Sequence, residues 1–132
     1  MEIVYKVNRM PSTAQVIELY RNAGLPRPVE DATRISKMFA HSNLVITAWD
    51  GDLLVGVSRC LTDFSWCCYL SDLAVHSDYQ KKGIGKKLIA LSKEKAGEQS
   101  MVLLLSVPTA LEYYPRAGME KLNNAFWIAR KG

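Results

Sequence analysis

Two apolar runs, "YLSDLAV" (69–75) and "MVLLLSV" (101–107), are separated by one helix-patterned segment that begins at a pair of glycines. This arrangement constrains the fold more than any other feature. A strand, a helix and a second strand in that order make a parallel pair with a right-handed crossover. The second run is apolar without alternation, as a strand covered on both faces should be. Between the runs, Ile84, Leu88, Ile89, Leu91 and Ala96 make an apolar stripe starting at Gly83, with lysines on the other face up to Gly97.

The rest of the chain supplies partners for this unit. "EIVYKV" (2–7) is β-rich, and "PSTAQVIELYRNAG" gives a first helix with Ser12 as N-cap, Gln15 three residues on and a closing Gly24. After the proline-broken "LPRPVED", Ala32, Ile35, Met38 and Phe39 predict a second helix from about Val29 to His41. The segment 43–75 is rich in β-branched and aromatic residues and is cut by Asp50-Gly51-Asp52 and Asp63-Phe64-Ser65, which predicts three antiparallel strands. "PTALEYYPRAGM" offers Thr109 as the N-cap of a short helix, and "KLNNAFWIARK" reads as a final strand. The order is β-α-α-β-β-β-α-β-α-β, an α/β mixed sheet of about six strands flanked by about four helices. Residues 1–132 form one domain without repeats or linkers.

Composition narrows the function classes. No apolar run approaches the roughly 20 residues of a membrane span, and "MEIVYKVNRM" lacks the pattern of a signal peptide, so the expectation is a soluble, cytoplasmic protein with no membrane partner. Cys60, Cys67 and Cys68 are odd in number and two are adjacent, which suits reduced thiols, with Cys67 and Cys68 on opposite faces of a strand. His41 and His76 stand far apart with no cysteine or acidic pair at metal-ligand spacing, so no metal is expected. The net charge of +4 is concentrated in Lys81, Lys82, Lys86, Lys87, Lys93 and Lys95. A nucleic-acid surface would interleave such lysines with aromatics along a groove. Here they cluster at one helix start, which points to a small anionic partner and not to nucleic acid.

A helix start presents unpaired N–H groups and a partial positive charge, and glycines there let a phosphate approach closely. Three phosphate-binding patterns compete. A P-loop needs four residues between its glycines and a hydroxyl after its lysine, whereas this chain has Gly83-Ile84-Gly85-Lys86-Lys87. A dinucleotide-binding turn needs a third glycine, where Leu88 stands. The third pattern fits: "QKKGIG", Gln80 to Gly85, matches Gln/Arg-x-x-Gly-x-Gly/Ala, follows the apolar "DLAV" strand, and precedes "ALEYYPRAGM", which is similar to Ala-x-x-Phe-Tyr-x-x-x-Gly-Phe. In these features and in its element order the chain resembles the GNAT N-acetyltransferase superfamily over nearly its whole length.

The resemblance implies an enzyme that moves an acetyl group from acetyl-CoA to a primary amine of a small molecule or peptide by direct attack in a ternary complex. It implies that the backbone N–H groups of Lys81, Lys82, Gly83, Ile84, Gly85 and Lys86, with Gln80 opening the loop, hold the CoA pyrophosphate. It implies too that the Leu73-Ala74-Val75 stretch splays from the next parallel strand, so that the free backbone groups of Leu73 and Val75 receive the pantetheine arm and an N–H there polarises the thioester carbonyl. Tyr114, four residues before Gly118, stands where many relatives carry the tyrosine that protonates the CoA sulfur. Pro115 follows it and would push it from the α region. Tyr113 is read as cofactor or core packing.

No motif selects a general base. Asp63, Asp72 and Glu112 are candidates that read more simply as turn or surface carboxylates, and ordered water can relay the proton. Acceptor selectivity is expected from the connection between the first two helices, Asn22 to Glu30, which contains Arg27, together with the final strand. The apolar "AFWIA" (125–129) suggests a homodimer. From another class, a non-catalytic acyl-CoA-binding or sensing module would keep the loop and lack turnover.

Overall fold

In the computed structural model, which describes residues 2–132, five strands form one mixed sheet in the order β1-β2-β3-β4-β5. Strands β1 (Ile3–Val7), β2 (Leu44–Asp50), β3 (Leu53–Thr62) and β4 (Cys67–Val75) run antiparallel in sequence, and β5 (Met101–Leu103) joins β4 in parallel. Both predicted turns are present. Gly51 takes φ +59° between β2 and β3, and the Asp63 carboxylate accepts the N–H groups of Ser65, Trp66 and Cys67 between β3 and β4. β2 is buried along six consecutive residues because helices cover both its faces, while β4 alternates with the strand period of two. Accordingly Cys68 is buried and Cys67 exposed.

Helices α1 (Thr13–Ala23) and α2 (Ala32–Ala40) cover one face, and α3 (Ile84–Ala96) covers the other. The Ser12–Gln15 capping box forms in both directions, at 3.1 and 3.0 Å. α2 begins later than its pattern predicts, because Asp31 N–H turns back to Pro28 C=O and the Asp31 side chain caps Arg34 N–H. On the α1/α2 face Tyr20, Ile35 and Phe39 meet Val45, Val57 and Ala74; on the other, Ile84, Leu88 and Ile89 meet Ile46, Val55 and Leu70. Gly56 lets α3 seat closely, since a methyl group there would stand 3.0 Å from Leu88 Cδ1 and 3.2 Å from both Ala48 Cβ and Ile84 Cγ2. No helix among the described residues is long and apolar enough to cross a membrane.

The C-terminal third departs from the sequence expectation. The run 101–107 is strand only over three residues and is half-buried, not covered on both faces, because β5 separates from β4 after Leu103. Thr109 lies inside a 3₁₀ turn, Pro108–Ala110, whose N-cap is Val107, and α4 is the single turn Tyr113–Arg116. The expected sixth strand is absent among the described residues. A strand needs a partner edge for its N–H and C=O groups, and β5 offers three residues, so Phe126 and Ile128 are left 98% and 99% exposed.

Candidate functional site

β4 and β5 pair only at Cys67–Met101, Cys68–Val102 and Tyr69–Leu103, and β4 then runs six residues further alone on that side. Opposite, it stays paired with β3 as far as Val75, and His76 N–H continues the ladder to Val55 C=O at 2.8 Å. Alternation therefore directs the backbone N–H and C=O of Leu73 and Val75 into the gap. The gap has a defined length. At its far end the Gln80 side-chain amide donates to Val75 C=O at 3.1 Å, and at its near end Arg27 Nη2 donates to Ser71 C=O at 2.7 Å. Ser71 is the extra residue of a bulge, since Arg59 faces Asp72 while Cys60 faces Leu70.

Beyond the gap the chain makes a 3₁₀ turn at Ser77–Tyr79, takes positive φ at Lys81 (63°) and Gly83 (81°), and enters α3 at Ile84. Gly83 offers no side-chain cap, so the first N–H groups of α3 face outward without an internal acceptor. Tyr79 is held by a 2.6 Å hydrogen bond to Asp50, which fixes the loop against the β2 end. A cavity of about 650 Å³ joins the strand gap to this helix start. Leu73, Ala74, Val75, Gln80, Lys81, Gly83, Ile84, Gly85, Lys86 and Tyr114 all line it; Lys82 is exposed outside the lining. Lys87 turns away, with its Nζ 6.0 Å from the Tyr5 ring centre.

Tyr114 is half-buried, packs against the α3-side core and meets Tyr113 edge-on with ring centres 5.2 Å apart. Pro115 does not expel it from the helix: in a first turn the missing proline N–H has no partner to lose, and Ala117 and Met119 N–H groups close onto Tyr113 and Tyr114 carbonyls. Burial raises the Tyr114 pKa, Tyr113 adds to the rise, and the Arg27 charge opposes it. Tyr114 is thus a protonated phenol in the cavity at neutral pH.

Of the three candidate bases none lines the cavity. Asp63 is consumed by its turn, and its three backbone donors hold the carboxyl down at about 2. Glu112 is exposed ahead of α4. Asp72 is neither a turn nor a surface carboxylate, which corrects the sequence reading: its side chain is fully enclosed, paired with Arg27 Nε at 2.7 Å and Arg59 Nε at 2.6 Å, and it accepts the Tyr20 hydroxyl at 2.8 Å. Burial pushes its pKa up, but the two guanidinium groups outweigh that and hold it below the usual carboxylate range. Burial and Asp72 push Tyr20 well up, so Tyr20 stays neutral. The cluster was missed because its members are scattered along the chain. The available signal was an arginine in "LLVGVSRCLT" and an aspartate in "YLSDLAV", opposite charges in adjacent, otherwise apolar strands. No group of three or more His, Cys, Asp or Glu side chains suited to a metal occurs among the described residues.

The sequence profile of the family described as "Acetyltransferase (GNAT) family" matches residues 13–119. An uncharacterised, ycf52-like N-acetyltransferase of Prochlorococcus marinus is 31% identical over 115 residues, covering 78% of this chain and 61% of the relative. A second, ycf52 of Pyropia yezoensis, is 28% identical over 58% of this chain and 48% of its own length. This chain therefore spans only about half to three fifths of these curated relatives. Among solved structures, a GNAT family acetyltransferase from Streptococcus pneumoniae superposes with TM-score 0.77 at 24% identity, covering 98% of this chain and all of that one. An aminoglycoside acetyltransferase from an uncultured soil metagenomic sample, in complex with sisomicin, gives 0.69 at 22%, covering 98% and 97%.

Proposed function

This chain belongs to the acetyltransferase (GNAT) family, and from that premise we propose that it transfers the acetyl group of acetyl-CoA to a primary amine of a small molecule or peptide by direct attack within a ternary complex. The observation that carries the proposal is the parted edge of β4 leading straight to an uncapped, glycine-started helix in one cavity. Free N–H groups at a helix start suit a pyrophosphate, and an unpaired strand edge suits an arm bearing amide groups. In this reading Gln80 to Lys86 hold the diphosphate and Leu73 to Val75 hold the pantetheine.

Acetyl-CoA supplies the activated thioester when bound. The chain's own work is to exclude water, to fix the acceptor beside the β4 edge, and to return a proton to the departing sulfur. Tyr114 does the last of these, since burial keeps its phenol protonated. With no carboxylate in the lining, the amine gives up its proton through water. The acceptor enters past the α1–α2 connection, whose Gly24 to Arg27 form part of the lining. We place the enzyme in the cytoplasm, in keeping with its three free cysteines, and as a homodimer through its exposed C-terminal segment.

The competing reading, a sensing module without turnover, is disfavoured by the position of Tyr114 in the cavity. A panel of amines incubated with acetyl-CoA and followed by thiol release tests the proposal. Release that depends on both the amine and Tyr114 supports it, and no release above hydrolysis with any amine rejects it.

A further inference from the structure

We infer that the acceptor end of this cavity is built for an amine that also carries an anionic group, most simply a carboxylate, which Arg27 receives. This deepens the acetyl-transfer reading and rests on it. The inference begins with an imbalance of charge. Arg27 and Arg59 share one carboxylate, Asp72, and these two pairs are the only ion pairs among the described residues. Every other partner of the two guanidinium groups is neutral, namely Ser42, Ser71 and the carbonyls of Pro26, Met38 and Ser71. Tyr20 contributes a neutral hydroxyl. The cluster therefore keeps one uncompensated positive charge.

Geometry decides where that charge is available. Arg59 has its five N–H groups directed at acceptors: Nε and one Nη2 hydrogen to Asp72, the other Nη2 hydrogen to Ser71 Oγ, and Nη1 to Ser42 Oγ and Met38 C=O. Its face is covered by the Phe39 ring at 5.7 Å. It has nothing left to offer a ligand. Arg27 uses Nε on Asp72, one Nη1 hydrogen on Pro26 C=O and one Nη2 hydrogen on Ser71 C=O, which leaves a second N–H on each Nη. Its side chain is 22% exposed and lines the cavity. A guanidinium held in place by three bonds, with an N–H to spare on each Nη, can still receive a carboxylate.

The rest of the lining agrees. No aspartate or glutamate lines the cavity, and the flanking residues on the Arg27 side, Ala23, Leu25 and Pro26, are apolar. Lys81 and Lys86 stand at the α3 start, in the part assigned to the diphosphate. A polyamine would meet Arg27 and Arg116 with no counter-charge, and like charges in a partly enclosed site reject the wrong partner. The Arg27 field reaches Tyr114, where it opposes the burial-driven rise. Arg27 and Tyr114 line the same cavity, so a small acid held on Arg27 shares it with the proposed proton donor. In the reaction the amine nitrogen bonds to the acetyl carbon, the carbon–sulfur bond breaks, the sulfur takes a proton and the nitrogen loses one.

The test uses the full chain with CoA bound and amines in matched pairs: L-leucine, L-phenylalanine and 4-aminobutyrate, each beside its carboxamide, with spermidine and kanamycin as polycations. Binding is read by calorimetry. At least one acid is expected to bind about tenfold or more tighter than its amide, and Arg27→Gln should remove that preference while Arg27→Lys keeps part of it. Arg59 still neutralises Asp72 in both variants, and a thermal melt checks that each is folded before binding is read; should a variant fail to fold, the wild-type acid and amide comparison decides alone. Amides that bind as well as their acids, or spermidine or kanamycin binding tighter than every acid, overturn the inference. Turnover of amides or polyamines alone rejects it and leaves acetyl transfer standing. Arg27-dependent binding of an acid without turnover of any amine rejects acetyl transfer, and with it the assignment of that acid as the acceptor.

Discussion

The Tyr113 hydroxyl lies over Gly85 so closely that a methyl group at position 85 would overlap it, with Cζ of the same ring 3.3 Å away. Gly85 sits in the first turn of α3 without a positive φ, so it is glycine for space. Gly83 differs. It has open space around it and φ +81°, so it is glycine for backbone conformation.

The two glycines should therefore fail in different ways. Gly85→Ala should weaken CoA binding about tenfold by displacing α4, and Tyr113→Phe in the same chain should restore much of the loss because only the hydroxyl overlaps. Gly83→Ala should cost about 1–2 kcal/mol of stability with no relief from Tyr113→Phe. Calorimetry and thermal melts on the double-mutant cycle check this. Equal CoA affinity in Gly85→Ala and wild type would contradict it.

Tyr114→Phe removes one hydroxyl from the cavity and should leave CoA affinity and stability unchanged while turnover falls by about 10²- to 10⁴-fold. Because burial raises its pKa, the basic fall in kcat should lie above the ordinary tyrosine range. Single-turnover rates from pH 7 to 11 measure both. A near-normal rate for the phenylalanine variant would leave Tyr114 with a packing role only.

Asp72 links stability to pH. Its folded-state pKa lies below the unfolded value of about 3.9, so its contribution is complete above that value and is lost as pH falls through the folded pKa. Asp72→Asn leaves two guanidinium groups without a carboxylate and should cost about 3–5 kcal/mol at pH 7. Urea melts from pH 2 to 7 should show the loss at pH 7 shrinking toward acid. A loss of equal size at every pH would mean that the cavity and hydrogen bonds, not the charge, hold the cluster.

The segment 120–132 should pair with the open β5 edge of a second copy. Phe126, Trp127 and Ile128 are 98, 69 and 99% exposed, while β5 has one unpaired side. The four rings of two copies can bury roughly 600–1,000 Å², a large part of what a stable interface needs. Sedimentation at tens of micromolar should give a dimer, and Trp127→Glu a monomer. A monomeric wild type would show that the segment stays solvated or closes on its own chain.

The hairpins, the three longer helices and the glycine loop were legible because each is fixed locally, by a cap, a turn or a period. Ser12 with Gln15, and Gly83 before an apolar stripe, carry their structure in a few adjacent residues. The Arg27–Asp72–Arg59 cluster was not, because its meaning depends on β3 and β4 lying side by side and on a connection crossing over them. The last strand was misread for a related reason. "AFWIA" has strand composition, but composition does not supply an edge, and "MVLLLSV" leaves β4 after three pairs.

That parting of β4 from β5 has a genetic consequence. The groups it exposes at Leu73 and Val75 belong to the main chain, which every residue except proline carries in full. Many side-chain replacements at these two positions would therefore be silent for ligand recognition as long as the core accepts them, and proline, which deletes the N–H, would be the informative exception. Random mutagenesis of this strand would return mostly folding defects, and a stretch that recognised its ligand through the main chain alone would look like ordinary core.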